Sequence, residues 1–271
     1  MRDPLRQFAD AAGETLLAVE PERLAADSRD SMASPSAGIA ILPLQGGLTP
    51  RGLSFFGRVI VPGMDSFRAA GDRAAGDPSV GAIVLDVNSP GGTFAGTPET
   101  AAAVARWAAV KPVIAVVDTL AASAAYFIAS QATEIVVTPS GEVGSIGVLA
   151  VHMDFSQMME NDGVKATIIR SRAGKADANP YEPLTPEALA AIQASVNEAD
   201  GEFIKAVAKG RKMGPAAVRS MADAEVARLV SAKRAVELGL ADRVATMADV
   251  LSAMIKPRAS GPRRRSALAF A

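Results

Sequence analysis

The sequence predicts an α/β fold built on a mostly parallel sheet. Three observations carry this. Between residues 39 and 138, short apolar runs of strand length alternate with helix-length stretches. The runs are continuous and rich in Val and Ile rather than alternating, which is the pattern of strands covered on both faces. Turns marked by Gly or Pro separate them.

Taken in order, residues 39–44 (IAILPL) read as a first strand, followed by turn material at Gly46-Gly47 and Thr49-Pro50-Arg51. Residues 66–75 read as a helix, 81–87 (GAIVLDV) as a buried strand and 88–92 as a tight loop. Residues 97–110 are an alanine-rich helix ended by Lys111-Pro112, because a residue before proline is pushed out of the helical region. Residues 113–118 (VIAVVD) read as a buried strand, 121–131 as a helix, 134–138 as a strand and 167–170 as a further strand. Residues 185–209 form a long helix, with Thr185 as its N-cap, Pro186 in the first turn and Glu187 after it. Residues 232–238 are a last helix, stopped at Gly239.

These elements fall in one domain, residues 37–250. The segment before it, residues 1–36, is an arm with seven acids and four bases, in which 4–17 place Leu5, Phe8, Ala12 and Leu16 at near-helical spacing. Residues 251–271 read as a basic, disordered tail, with five basic side chains and no acid from Lys256 onward.

Composition narrows the chemistry. The 28 basic and 29 acidic side chains nearly cancel, so the basic excess of a nucleic-acid-coating protein is missing and no nucleic-acid partner is expected. Cysteine is absent and His152 is the single histidine. That removes disulfides, thiolate zinc sites, iron–sulfur clusters and a cysteine nucleophile, and makes a multi-histidine metal site impossible within one chain. No metal and no cofactor are expected. No apolar run approaches the roughly 20 residues of a membrane span, and the first residues lack the apolar core of a signal peptide. The expectation is a soluble, cytoplasmic protein.

Four segments could carry chemistry. Asn88-Ser89-Pro90-Gly91-Gly92 follows a buried strand, and glycines there let backbone amides face outward toward a phosphate or a developing oxyanion. Leu120-Ala-Ala-Ser123-Ala-Ala-Tyr126 sets a serine among small neighbours at the start of a helix, a serine that otherwise simply caps it. Gly141-Glu-Val-Gly144-Ser145-Ile146-Gly147-Val148 suggests a strand edge approached closely by another backbone, or an ordinary glycine-rich turn. Arg170-Ser-Arg-Ala-Gly174-Lys175 places a lysine between a strand and the long helix, with Asn179-Pro180 beyond. A serine hydroxyl needs a base. In this chain the choices are His152, a lysine or a carboxylate, and a lysine serves only when desolvation disfavours its charged form.

Taken together and in this order, the four segments, with Ala235-Val-Glu-Leu-Gly-Leu-Ala-Asp242 after them, resemble the serine peptidases related to signal peptide peptidase A, peptidase family S49. The resemblance spans residues 39–244 and implies a Clp- and crotonase-like spiral of βαβ units. It implies Ser123 as nucleophile, Lys175 as general base, Ser145 as the hydroxyl that orients the lysine, and the amides of Gly92 and Ala124 as the oxyanion hole. It also implies that Gly91, Gly144 and Ile146 bind the substrate. His152 is the rival base.

Many relatives carry two glycines after the nucleophile where this chain has Ala124 and Ala125, whose methyl groups could narrow the cleft. Size and the N-terminal arm resemble the phage branch, whose members cut scaffold or capsid proteins in head maturation. The expected partners are polypeptides, including scaffold, portal or capsid proteins, and further copies of the chain in a ring. The alternatives left open are a cytoplasmic peptidase that clears signal peptides or misfolded chains, a crotonase-like acyl-CoA enzyme, and a non-catalytic scaffold.

Overall fold

The computed structural model describes residues 38–55, 58–61 and 63–255. The chain runs β1 (Ile39–Leu48), the antiparallel pair β2 (Leu53–Phe55) and β3 (Arg58–Val61), α1 (Met64–Gly76), β4 (Ala82–Gly92), α2 (Thr97–Val110), β5 (Val113–Ala122), α3 (Ala124–Ala129), β6 (Glu134–Val137) and β7 (Glu142–Gly144). Then come α4 (Ser156–Asn161), α5 (Pro186–Gly210), α6 (Pro215–Met221), a π-helical turn (Ala222–Val226), β8 (Leu229–Ser231), α7 (Ala232–Glu237), β9 (Arg243–Val244) and α8 (Met247–Ile255).

The main sheet has the order β1-β4-β5-β6-β9, and every pairing along that path is parallel. Each βαβ unit from β1 to β6 therefore steps the chain one strand further in the same direction, the α/β spiral expected from the alternation of apolar runs and helices. Beyond the end of β6, the last residues of β5 pair instead with β7 (Leu120↔Glu142, Ala121↔Val143, Ala122↔Gly144), and β8 closes that edge antiparallel to β7.

The continuous apolar runs are explained by burial on both faces. Ile83, Leu85 and Val87 of β4, with Val113, Ala115 and Val117 of β5, point into a large core shared with α1, α2, α3 and α5. The residues between them, Val84, Ile114 and Val116, join Val136 and lie under Val250, Leu251 and Met254 of α8 on the opposite face. All the strand residues named are under one-tenth exposed, so apolar residues occupy consecutive positions at the strand centres, interrupted in β4 by the half-buried Asp86.

The helices obey their own period. α1 buries Met64, Phe67, Gly71 and Ala74 at three- and four-residue spacing. Gly71 is required by contact: a Cβ there would sit 2.1 Å from the ring of Trp107 on α2. That ring is 1% exposed, stacks at a tilt on Phe67 at 5.6 Å and donates its indole N–H to Asp72 at 2.7 Å. Trp107→Ala is accordingly expected to cost about 3–5 kcal/mol, read as a lower midpoint in chemical denaturation with the slope unchanged.

Four sequence expectations need correction. Residues 88–92 are not a loop but the end of β4, because Gly91 and Gly92 pair with Gly47 and Leu48 of β1. Residues 121 and 122 belong to β5, and the helix after them is only Ala124–Ala129, because pairing with β7 overrides the helix propensity of the alanines. Residues 167–170 form no strand, since no neighbouring strand lies beside them. The boundary drawn after residue 250 cuts through α8, which continues to Ile255. The long helix is observed as Pro186–Gly210, with the Thr185 hydroxyl accepting from the Ala188 amide at 3.2 Å. The helix expected over 4–17 and the tail from Lys256 lie outside the described residues.

Candidate active site

The site is built where two parallel strands stop together. Ala122 of β5 and Gly144 of β7 are paired, and the next residue on each strand is a serine, Ser123 and Ser145. Both serines turn sharply into the left-handed region, with φ of 51° and 53°. For a non-glycine residue this conformation costs of order 1–3 kcal/mol and persists only when surrounding contacts impose it. Here they do. The Ser123 amide donates to the Gly144 carbonyl at 2.9 Å, and the Phe127 amide donates to the Ser123 carbonyl at 2.9 Å. The Ser145 amide donates to the Arg228 carbonyl at 3.0 Å, and the Ile146 amide to the Val226 carbonyl at 2.9 Å. Gly144 (φ 131°) is needed because a Cβ would lie 2.3 Å from the Arg228 oxygen. Ile146, expected to bind substrate, is 1% exposed and belongs to the core beneath.

The simple structural role for Ser123 fails. Ser123 stands at the N-cap of α3, yet its side chain makes no capping hydrogen bond and the residue is half-buried rather than sealed in. Its hydroxyl is thus raised on a strained strand-to-helix turn without a structural partner at the helix end.

The end of β4 lies directly against this turn. A Cβ on Gly91 would be 2.8 Å from Ser123 Cβ and from the Ala122 carbonyl oxygen, and 3.0 Å from the Ala124 amide nitrogen. Only glycine permits that approach, and Gly91 takes φ 97°. Gly91 is buried, whereas Gly92 is exposed. Neighbouring amides of a strand point to opposite edges. The Thr93 amide turns toward β1 and donates to the Leu48 carbonyl at 3.0 Å. The Gly92 amide therefore faces away from β1. The Ala124 amide begins α3, where no intrahelical acceptor exists for it. Ala124 and Ala125 are both buried in the main core, which keeps their methyl groups out of an open cleft.

Ser123, Ser145, Gly91, Gly92, Ala124, Gly144 and Ile146 are thus brought together. Lys175 is not among them. It lies in a turn on a long excursion, residues 149–184, and is exposed. Among the described residues its ammonium has no hydrogen-bond or ion-pair partner. The excursion holds together through its own contacts: the Phe155 amide donates to the Pro180 carbonyl at 2.8 Å, and His152 Nε2 donates to the Asn179 carbonyl at 3.0 Å. His152 thus clasps the two limbs of the excursion. A cleft of about 680 Å³ runs along this excursion past Arg170, Gly174 and Thr185 and includes neither candidate serine. Much of the excursion's apolar surface is bare, with Leu149 81% and Ile169 94% exposed.

Sequence reasoning missed one residue here. Ser89, in the strand end that local composition presents as a loop, is fully buried beneath Gly91. Among the described residues no group of His, Cys, Asp or Glu could hold a metal ion, and no helix is long and apolar enough to cross a membrane.

The chain is similar to known proteins. Residues 105–259 match Peptidase family S49. The chain is 32% identical over 217 residues to Capsid assembly protease C of Escherichia phage lambda, covering 80% of this chain and 48% of the relative. It is 33% identical over 219 residues to Head-tail preconnector protein GP5 of Enterobacteria phage P21, covering 80% and 42%. A Putative signal peptide peptidase SppA of Enterococcus faecium is 32% identical over 183 residues, covering 67% and 52%. The chain therefore spans about half the length of these relatives.

Proposed function

Since the chain belongs to peptidase family S49, we propose that it is a serine endopeptidase that cuts polypeptides through an acyl-enzyme, with Ser123 as nucleophile and Lys175 as general base. The single observation that carries this reading is the uncapped Ser123 hydroxyl on a strained turn, with Gly91 packed directly against it and the Ala124 amide beginning the next helix.

The chemistry runs in two halves. Ser123 Oγ attacks the scissile carbonyl carbon while its proton passes to the neutral amine of Lys175. The carbonyl oxygen becomes an oxyanion held by the Gly92 and Ala124 amides, an arrangement whose loss costs about 100- to 1000-fold per donor in other acyl-transfer enzymes. The intermediate collapses, the C–N bond breaks, and the leaving amine takes the proton from Lys175. Water then attacks the ester, gives a proton to the lysine, and the serine is released with the proton returned. Ser145 orients the lysine amine, and Gly91 and Gly144 bind the substrate backbone.

Lys175 can act as a base only when shielded from water, and in the single chain it is exposed. This favours a reading in which assembly of copies covers the excursion. Bare Leu149, Val151 and Ile169 support that reading, as does the segment 167–170, whose Thr167, Ile168 and Ile169 favour a strand but pair with none among the described residues. A homo-oligomer, ring-shaped by family resemblance, is therefore proposed. Leu149→Asp combined with Ile169→Asp is expected to lower the mass seen by light scattering and abolish cleavage. A variant that keeps both mass and activity removes the argument.

The phage relatives named for capsid assembly and for the head-tail preconnector favour scaffold, portal or capsid proteins as substrates over signal peptides, and a place of action in the host cytoplasm or the prohead. The test is incubation with unfolded casein and with purified phage capsid and scaffold proteins, with fragments tracked by mass spectrometry. Fragments from the wild type support the reading. Intact substrate at a concentration where light scattering shows assembly overturns it.

A further inference from the structure

We infer that Ser89 is a positioning residue that aims the oxyanion-binding amide of Gly92. This rests on the peptidase reading above. The main sheet is irregular at this point on both sides of β4: the register shifts between Gln45 and Gly47 against β1, and between Val87 and Ser89 against β5. Pairing resumes past each shift, at Gly47↔Gly91 and at Ser89↔Ala121, so the strand end is bulged rather than unpaired. Ser89 adds a side-chain tie at this bulge. Its side chain is fully buried. Its hydroxyl donates to the Gly46 carbonyl at 2.6 Å and accepts from the Gly91 amide at 3.1 Å.

A serine hydroxyl has one proton to give, so donation to the Gly46 carbonyl turns its lone pairs toward the Gly91 amide. The side chain thus reinforces the pairing of Gly91 with Gly47 of β1. The Gly91 amide is thereby occupied and cannot bind the oxyanion. With Gly91 held toward β1 through Ser89, and Thr93 held toward β1 through the Leu48 carbonyl, the amide of Gly92 between them is fixed facing away from β1. Without the hydroxyl, the tie from the Gly46 carbonyl to the Gly91 amide is lost, and the glycine pair at the bulge is held by ladder pairing alone. An oxyanion donor tilted away by about 1 Å is enough to cost roughly 100-fold in rate.

The test compares wild type, Ser89→Ala and Ser89→Cys. Cysteine occupies a similar volume but makes much weaker hydrogen bonds, and the chain contains no other cysteine to complicate its use. Rates are expressed per reactive site, titrated with a fluorophosphonate. Both variants are expected to lose roughly 10- to 100-fold in kcat, with KM changed less than about threefold. Affinity for a peptide boronate, which forms the tetrahedral anion, should fall in parallel with kcat. A merely structural serine would lower thermal stability and the number of titratable sites while leaving kcat per site and boronate affinity unchanged, and that result in either folded variant overturns the assignment. Failure of the underlying reading looks different: wild type itself would not cleave, or Ser123→Ala would cleave as well as wild type.

Discussion

Replacing Ser123 by alanine is expected to reduce peptide-bond cleavage by roughly 10⁴- to 10⁶-fold, the range seen when the nucleophile of a serine peptidase is removed. The residual rate should come from substrate binding and the oxyanion amides alone. The structure also says what should happen to stability. The Ser123 side chain caps nothing, and the backbone contacts that hold the turn come from Ser123 N–H and C=O, which alanine retains. Ser123→Ala should therefore melt close to wild type. Ser123→Gly should be equally inactive and yet more stable, by up to about 1 kcal/mol, because glycine relieves the strain of φ 51°. An inactive variant more stable than its parent is the mark of a residue kept in strain for function. If Ser123→Ala cleaves at the wild-type rate with the same fragments, the nucleophile is elsewhere.

The sheet was readable because burial on both faces demands apolar residues at consecutive positions, and β4, β5 and β6 carry near-continuous apolar runs rich in Val and Ile. The long helix was readable from Thr185 and Pro186, whose cap chemistry is local. The turn at Ser123 was not. Leu120-Ala-Ala-Ser-Ala-Ala has the composition of a helix, and only pairing with β7, some twenty residues later, makes its first half a strand. Local composition cannot report that contact. The glycines at 91, 92 and 144 were visible, but their purpose was not, because it lies in backbone atoms of β1, Ser123 and Arg228 that they touch. The segment 167–170 shows the reverse failure: its residues favour a strand, and no strand among the described residues pairs with them. The family resemblance gathered Ser123, Ser145 and the amides before any geometry was known, while the approach of Lys175 depends on an excursion whose apolar side chains have no cover in one chain.

Lys175→Met is expected to cost nearly as much as losing Ser123, at least about 10³-fold, since an unactivated serine hydroxyl is a poor nucleophile. Three further results separate a base from a mere positive charge. Lys175→Arg should be as inactive as Lys175→Met, because a guanidinium keeps its charge in proteins and cannot accept a proton. The double variant with Ser123→Ala should be no worse than Ser123→Ala alone, because nucleophile and base act as one unit and their losses do not add. His152→Ala should retain most activity, its small loss coming from a looser clasp on Asn179. Neither lysine substitution should change the melting temperature of the isolated chain, in which Lys175 is exposed and its ammonium has no partner among the described residues. Full activity in Lys175→Arg would mean that charge alone suffices at this position, and the proton from Ser123 would have to go to another group. The nearly unchanged fold expected of these variants makes the comparison clean: activity would be lost through the proton's destination and through nothing else.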